Sequence, residues 1–260
     1  MIRPPVLSLG GFRVGSVPYL NAVPLTRGLE SQISFVPPSR LAVQLRSGQL
    51  DAALVSVTEV LFNDQYDVLD GIAVASRGEV RSVLLAHRQP LEQIREIFCD
   101  TASLTSFNLL RVLLAERGLR PELKPLPDYE QCARLDAVLL IGDPAIRFLL
   151  SRPDHHILDL GADWRARTGL PFVYAVWALR RSSENAQLRQ ILRASRDYGL
   201  ANLDSVIREA TDFDLEFRQN YLGRCVHYRL GSEEKKGLAK FAELLQSQGP
   251  GPVYEPRFVE

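Results

Sequence analysis

Short apolar runs alternating with helix-patterned stretches constrain this chain more than any other feature. Arg13–Val17, Ala52–Val55, Gly71–Ala75, Ser82–Ala86, Ile97–Cys99, Ala137–Ile141 and Phe172–Leu179 read as buried strands. Between them, Ser39 reads as the N-cap of a helix carrying Leu41 and Leu45 one turn apart, closed by Gly48. A second helix starts within Thr101–Ser106, carries Leu104, Phe107, Leu110 and Leu114 on one face, and stops at Gly118. Strand and helix alternating in this way predict βαβ units and a largely parallel sheet, an α/β fold.

After Leu179 the rhythm changes. Residues 184–247 read as helices, among them Ala186–Tyr198 and Ser232–Gln246, with little strand signal. Helices placed after a long apolar strand suggest that the chain has returned to an earlier lobe. Ser82–Ala86 and Phe172–Leu179 are then two crossover strands, with residues 1–87 and 178–260 in one lobe and 88–177 in the other. Two α/β lobes joined twice make a cleft that can close on a ligand.

Composition removes several function classes. Lys plus Arg and Asp plus Glu are equal at 31 each, so no global field attracts nucleic acid or an anionic membrane. An anionic ligand must be held by local donors. Cys99, Cys132 and Cys225 are odd in number and far apart, unlike a disulfide framework or a zinc site. Met1–Gly11 lacks the apolar region of a signal peptide, and no apolar run approaches a membrane span. The expectation is a cytoplasmic protein.

Polar residues cluster where strands hand over to helices, which is where open α/β sheets collect their ligands. Tyr19 and Asn21 follow the first strand; Asn21 is either a ligand contact or only an N-cap, with Pro24 tolerated in the first turn. Ser56 follows the second strand and could face the cleft, whereas Thr58 reads better as a cap. Ser82 opens the first crossover strand, behind a solvated Arg77-Gly78-Glu79. The run Asp100-Thr101-Ala102-Ser103-Leu104-Thr105-Ser106 gathers four hydroxyls at a helix start, more than one cap requires. Backbone donors and the helix dipole favour an anion there, so Ser103, Thr105 and Ser106 are candidate carboxylate ligands. Asp143, in Ile141-Gly142-Asp143-Pro144, is equally a ready N-cap with Pro at the first helical position and a substrate-facing acid.

Other chemistry is thin. His155-His156 reads as surface without a third ligand at metal spacing, and His87 and His227 stand alone. Gly10, Gly11 and Gly15 match neither phosphate-loop nor dinucleotide patterns, and no nucleophile elbow occurs.

Six of these segments, taken in order, carry a resemblance. Gly15 to Leu25, Leu50 to Glu59, Gly78 to Leu85, Asp100 to Leu114, Asp136 to Ala145 and Thr168 to Trp177 resemble the chorismate dehydratases of the futalosine route to menaquinone. The resemblance covers about residues 13–180 and is weak in the C-terminal helices. It implies a two-lobed fold like the type 2 periplasmic binding proteins, with chorismate as the small-molecule substrate.

The implied reaction converts chorismate into 3-[(1-carboxyvinyl)oxy]benzoate. It removes the ring proton beside the enolpyruvyl ether and the neighbouring hydroxyl, driven by aromatisation, and requires no metal, flavin or nicotinamide. For that reaction Asp143 and Asn21 are the candidate catalytic residues, and Tyr19, Ser56, Ser82, Ser103, Thr105, Ser106 and Gly142 the candidate substrate contacts. A sister enzyme of the same fold, which forms 1,4-dihydroxy-6-naphthoate, uses a histidine base in the segment matching Ile141-Gly142-Asp143. Gly142 in this chain counts against that activity. The base is then Asp143, another cleft group or a carboxylate of the substrate. Two further readings are a non-catalytic receptor for a small organic anion and the sensing lobe of a transcription regulator. The missing export signal weighs against the first, and the missing helix-turn-helix segment and basic face against the second.

Overall fold

A computed structural model describes residues 7–181, 185–249 and 251–260. Residues 1–6, and residue 184 at the expected start of the helical region, lie outside the described residues. Eleven strands among the described residues form two sheets. They are β1 (Val14–Ser16), β2 (Ser34–Phe35), β3 (Ala52–Ser56), β4 (Tyr66–Ser76), β5 (Val83–His87), β6 (Glu96–Cys99), β7 (Glu122–Pro125), β8 (Ala137–Ile141), β9 (His156–Asp159), β10 (Phe172–Arg180) and β11 (Arg257–Val259). The first sheet runs in the order β11-β4-β10-β3-β1-β2 and the second β7-β6-β8-β5-β9.

Both sheets are mixed, which corrects the expectation of a largely parallel one. In the first, β1 pairs parallel with β2 and β3, but β10 runs antiparallel between β3 and β4. In the second, β5 runs antiparallel between β8 and β9. The reason lies in how the chain changes sheets. Ala175 of β10 lies opposite Ser56 at the end of β3, and Val83 of β5 opposite Ile141 at the end of β8. Each of the two strands therefore begins at the edge where its neighbours end, and must run back against them. Each also lies whole within one sheet, so the chain crosses in the connections 77–82 and 169–171.

The helices cover these sheets. They are α1 (Val23–Thr26), α2 (Pro38–Arg46), α3 (Val57–Phe62), α4 (Leu104–Ala115), α5 (Gly142–Leu150), α6 (Leu160–Thr168), α7 (Ala186–Ala201), α8 (Leu203–Glu209), α9 (Leu215–Asn220) and α10 (Ser232–Gln248). Ser39 is not the cap of α2: Pro38 opens that helix behind Pro37, where its fixed φ suits the first turn. In α4 the buried face is Leu109, Leu110, Leu113 and Leu114, while Leu104 remains exposed.

Two contacts fix the C-terminal helices against the rest. A Cβ at Gly199 of α7 would meet the Pro24 carbonyl oxygen at 1.9 Å, so only glycine lets α7 press against α1, just behind Asn21. Trp164 of α6, Phe172 of β10 and Phe241 of α10 form an edge-to-face cluster with centroids 4.9–6.0 Å apart, over the 169–171 crossing. Trp164 Nε1 donates to the Pro171 carbonyl at 3.1 Å, which satisfies the indole where it is buried.

The adjacent histidines sit in different environments. His155 is buried rather than on the surface, its Nε2 paired with the Leu135 carbonyl at 2.8 Å and its ring against Phe148. It anchors the start of an edge strand. His156, by contrast, is exposed. Cys99, Cys132 and Cys225 are free and buried.

Candidate active site

The strand ends converge on one small cavity between the sheets. It is lined by Val17, Tyr19, Asn21, Pro38, Leu54, Ser56, Val74, Val80, Ser82, Val83, Ser103, Ser106, Ile141, Gly142, Tyr174 and Ala175. Its volume is about 60 Å³, below the roughly 150 Å³ of an apolar cavity that takes up benzene. Seven expected site residues meet there: Tyr19, Asn21, Ser56, Ser82, Ser103, Ser106 and Gly142. Thr105 and Asp143 are not among the lining residues.

Serine hydroxyls form a short chain across the cavity mouth. Ser103 caps α4, accepting from the Ser106 N–H at 3.3 Å and from the Ser106 hydroxyl at 3.1 Å. Its oxygen also lies 3.2 Å from Ser56 Oγ. Ser56 holds the N-cap position of α3 but makes no cap bond, so its hydroxyl is spent across the cleft instead. Thr105 is fully buried, and its oxygen accepts the Thr58 N–H at 3.0 Å. It ties α3 to α4 and does not face the cavity.

Asp143 differs most from expectation. Ile141 is the N-cap of α5, Gly142 its first residue, and Asp143 lies inside the first turn without capping it. Its Oδ1 instead accepts the Leu20 N–H from 3.3 Å, between residues 123 positions apart. Burial pushes its carboxyl up to about 6. That bond holds the short turn Leu20–Ala22, on which Asn21 stands. Asn21 is not a helix cap either: Ala22 takes the position before α1, and Asn21 lines the cavity.

Gly142 has φ +60° and carries the Tyr19 ring on its Cα. Burial, then Asp100 and Asp143, raises the Tyr19 phenol. Asp100 is itself raised by burial, and accepts from Tyr129 Oη at 2.6 Å. Behind Val80 of the lining, the Asp159 carboxylate gathers the N–H groups of Val80, Arg81 and Ala162 within 2.6–3.1 Å. It thereby pins the 77–82 crossing, in which Arg81 takes a left-handed φ of +62° immediately before Ser82.

Two aromatic residues near the site had no strand-end signal. Tyr174 lines the cavity from near the start of β10, with its hydroxyl 3.0 Å from Ser76 Oγ. Tyr221, fully buried, reaches Ser82 and Asn21 from beyond α9. Only the aromatic pair Phe217 and Tyr221, one helical turn apart, hinted at a buried face there.

A larger open groove of about 860 Å³ lies between β4, α7 and α10. Three of its lining cations are already engaged: Lys235 with Asp70 at 2.7 Å, Arg193 with backbone carbonyls and Arg196 with the Gly71 carbonyl. Among the described residues no group of His, Cys, Asp and Glu could hold a metal ion, and no helix is long and apolar enough to cross a membrane.

Comparison with known proteins agrees with this geometry. Over 251 residues the chain is 34% identical to a chorismate dehydratase of Thermus thermophilus, covering 87% of this chain and 92% of that one. A chorismate dehydratase of Campylobacter jejuni is 26% identical over 234 residues, covering 88% and 91%. A Candida albicans protein described as having the generic periplasmic binding protein fold superposes with a TM-score of 0.62 at 15% identity, over 91% of this chain and 89% of that one. The fold is therefore α/β and periplasmic-binding-protein-like. The family described as menaquinone biosynthesis matches residues 12–247, a span that takes in every residue lining the cavity, and the chain belongs to that family.

Proposed function

We propose that this protein is a hydro-lyase that dehydrates chorismate to 3-[(1-carboxyvinyl)oxy]benzoate for menaquinone biosynthesis. The observation that carries the reading is the 34% identity to a chorismate dehydratase across 87% of the chain. The cavity chemistry supports it: hydroxyls and an amide that can hold carboxylates, over apolar walls that suit a ring. The lobes are residues around the first sheet with the C-terminal helices, and residues around the second, divided at 77–82 and 169–171. The enzyme works in the cytoplasm, a setting that suits three free, buried thiols.

In this reading Ser103, Ser106 and the first N–H groups of α4 hold one substrate carboxylate. Asn21 and Ser82 orient the ring hydroxyl that leaves as water, and Tyr19 and Tyr174 bound the ring. Asp143 serves as a positioning residue, because its oxygen is directed at Leu20 and it lies outside the cavity lining. The proton beside the enolpyruvyl ether then passes to the substrate's own side-chain carboxylate, the base that geometry leaves within reach. Elimination of the hydroxyl completes the aromatic ring, and the proton and hydroxyl leave together as one water.

Incubating the purified protein with chorismate tests this. The expected result is a stoichiometric aromatic product lighter than chorismate by one water, seen by ultraviolet absorbance and mass spectrometry. Saturable binding of chorismate without turnover would instead favour the non-catalytic receptor.

A further inference from the structure

Tyr221 belongs to neither sheet, yet it reaches the first-lobe residues of the site. It opens a single π-helical turn, Tyr221–Cys225, directly after α9. Such turns are rare and are frequent at functional sites, where the extra residue redirects one side chain. The phenol is fully buried, and its ring stacks on Phe217 with centroids 5.5 Å apart and an angle of 21°. Phe217 in turn lies under the Arg81 guanidinium at 5.0 Å. The hydroxyl faces the Ser82 and Asn21 side chains but stops short of hydrogen-bond geometry with either, so a fully buried polar atom has no partner. Leaving such a group unpaired costs about 1–3 kcal/mol, and phenylalanine would pack there without that cost.

We propose that Tyr221 is a positioning residue for the dehydration: its hydroxyl aligns Asn21 and Ser82 with the substrate as the cleft fills. The C-terminal helices, far from the strand-end clusters in sequence, thereby complete the site. Stacking on Phe217 beneath Arg81 also ties the phenol to the 77–82 crossing, which ends at Ser82. The inference rests on the dehydratase reading for its kinetic test but not for its structural one.

Tyr221→Phe removes one oxygen and keeps the ring. In the chorismate assay its kcat should fall about tenfold to a hundredfold, the size of a small misplacement of reacting groups. KM should change less than about threefold, and the melting temperature should hold or rise, since an unpaired buried hydroxyl has been removed. In an Asn21→Ala background the same change should have little further effect, because the two residues act as one unit. A Tyr221→Phe enzyme with parental kcat overturns the proposal, as does full additivity with Asn21→Ala. The structural test needs no turnover. The side-chain amide resonances of Asn21, identified by their loss in Asn21→Ala, should shift in Tyr221→Phe; unmoved resonances overturn the proposal. A parent enzyme that fails to dehydrate chorismate defeats the reaction assignment alone and leaves the resonance test to decide this one.

Discussion

The ring of Tyr19 lies flat against Gly142, where a Cβ would come within 3.0–3.1 Å of three ring carbons. The same residue has φ +60° and donates its N–H to the Ser82 carbonyl at 2.8 Å. Space and dihedral thus both select glycine. A histidine base at this position, the device implied for the naphthoate-forming sister enzyme, is incompatible with Tyr19 where it stands. Gly142→Ala should cost about 1–2 kcal/mol from the left-handed backbone alone, lowering the melting temperature by roughly 2–8 °C. Gly142→His should lose dehydration without gaining the sister reaction. An unchanged melting temperature in Gly142→Ala would show that Tyr19 moves aside freely.

Ser106 and Thr105 are sequence neighbours with different duties, and their variants should separate. Ser106 lines the cavity, so Ser106→Asp sets a negative charge against a substrate carboxylate. Two like charges about 4 Å apart at an effective dielectric near 20 repel by about 4 kcal/mol, or about three orders of magnitude in binding. KM should rise steeply while the fold survives. Thr105→Val removes the acceptor of the Thr58 N–H and should cost stability, about 1–3 kcal/mol, with KM little changed. Equal KM values for Ser106→Asp and the parent would remove this helix start from the site.

Ser56, Ser82, Ser103 and Ser106 were legible because each stands where an apolar run meets a helix or a crossing, with more hydroxyls than caps could use. What escaped the sequence shares a physical cause. The four unexpected strands, β2, β7, β9 and β11, are the four edges of the two sheets. An edge strand is paired on one side only and tolerates charge and proline, so Glu122–Pro125 and Arg257–Val259 carry no apolar run. Asp143 misled for a different reason. An Asp-Pro pair after a strand is a good cap by local rules, but Gly142 starts the helix early, and the carboxylate finds Leu20 instead. Tyr221 could not be placed, since its position depends on how α7, α8 and α9 dock.

Closure joins the two sides of the cleft at several points: Ser56 with Ser103, Thr58 with Thr105, Leu20 with Asp143, and Tyr19 on Gly142. The volume of about 60 Å³ is too small for a substituted ring, so in the two-lobed reading proposed above the lobes part before substrate enters. Hinge motion at 77–82 and 169–171 would do this without breaking a sheet. Small-angle scattering should therefore report a smaller radius of gyration with product bound than without ligand. No compaction at saturating product would show that the lobes stay together and that side chains alone gate the cavity.

Asp143 makes stability, and not the chemical step, depend on pH. Its carboxyl, near 3.8 when solvated, stands at about 6 in the fold because burial penalises the charge. The proton is thus bound more tightly in the folded state, which favours folding fully below about pH 4 and loses that advantage as pH rises through about 6. A shift of this size corresponds to a penalty of the order of 3 kcal/mol once the group ionises. Asp143→Asn keeps an oxygen for the Leu20 N–H and carries no charge. It should unfold at higher denaturant than the parent at pH 8 and at a similar concentration at pH 4. Its kcat should stay within about tenfold of the parent, since removal of a true general base costs about two to four orders of magnitude. The rate of the parent should accordingly show no loss of activity that tracks protonation near pH 6. A collapse of kcat in Asp143→Asn, together with a parental rate that falls away below pH 6, would make Asp143 the base and displace the substrate carboxylate from that role.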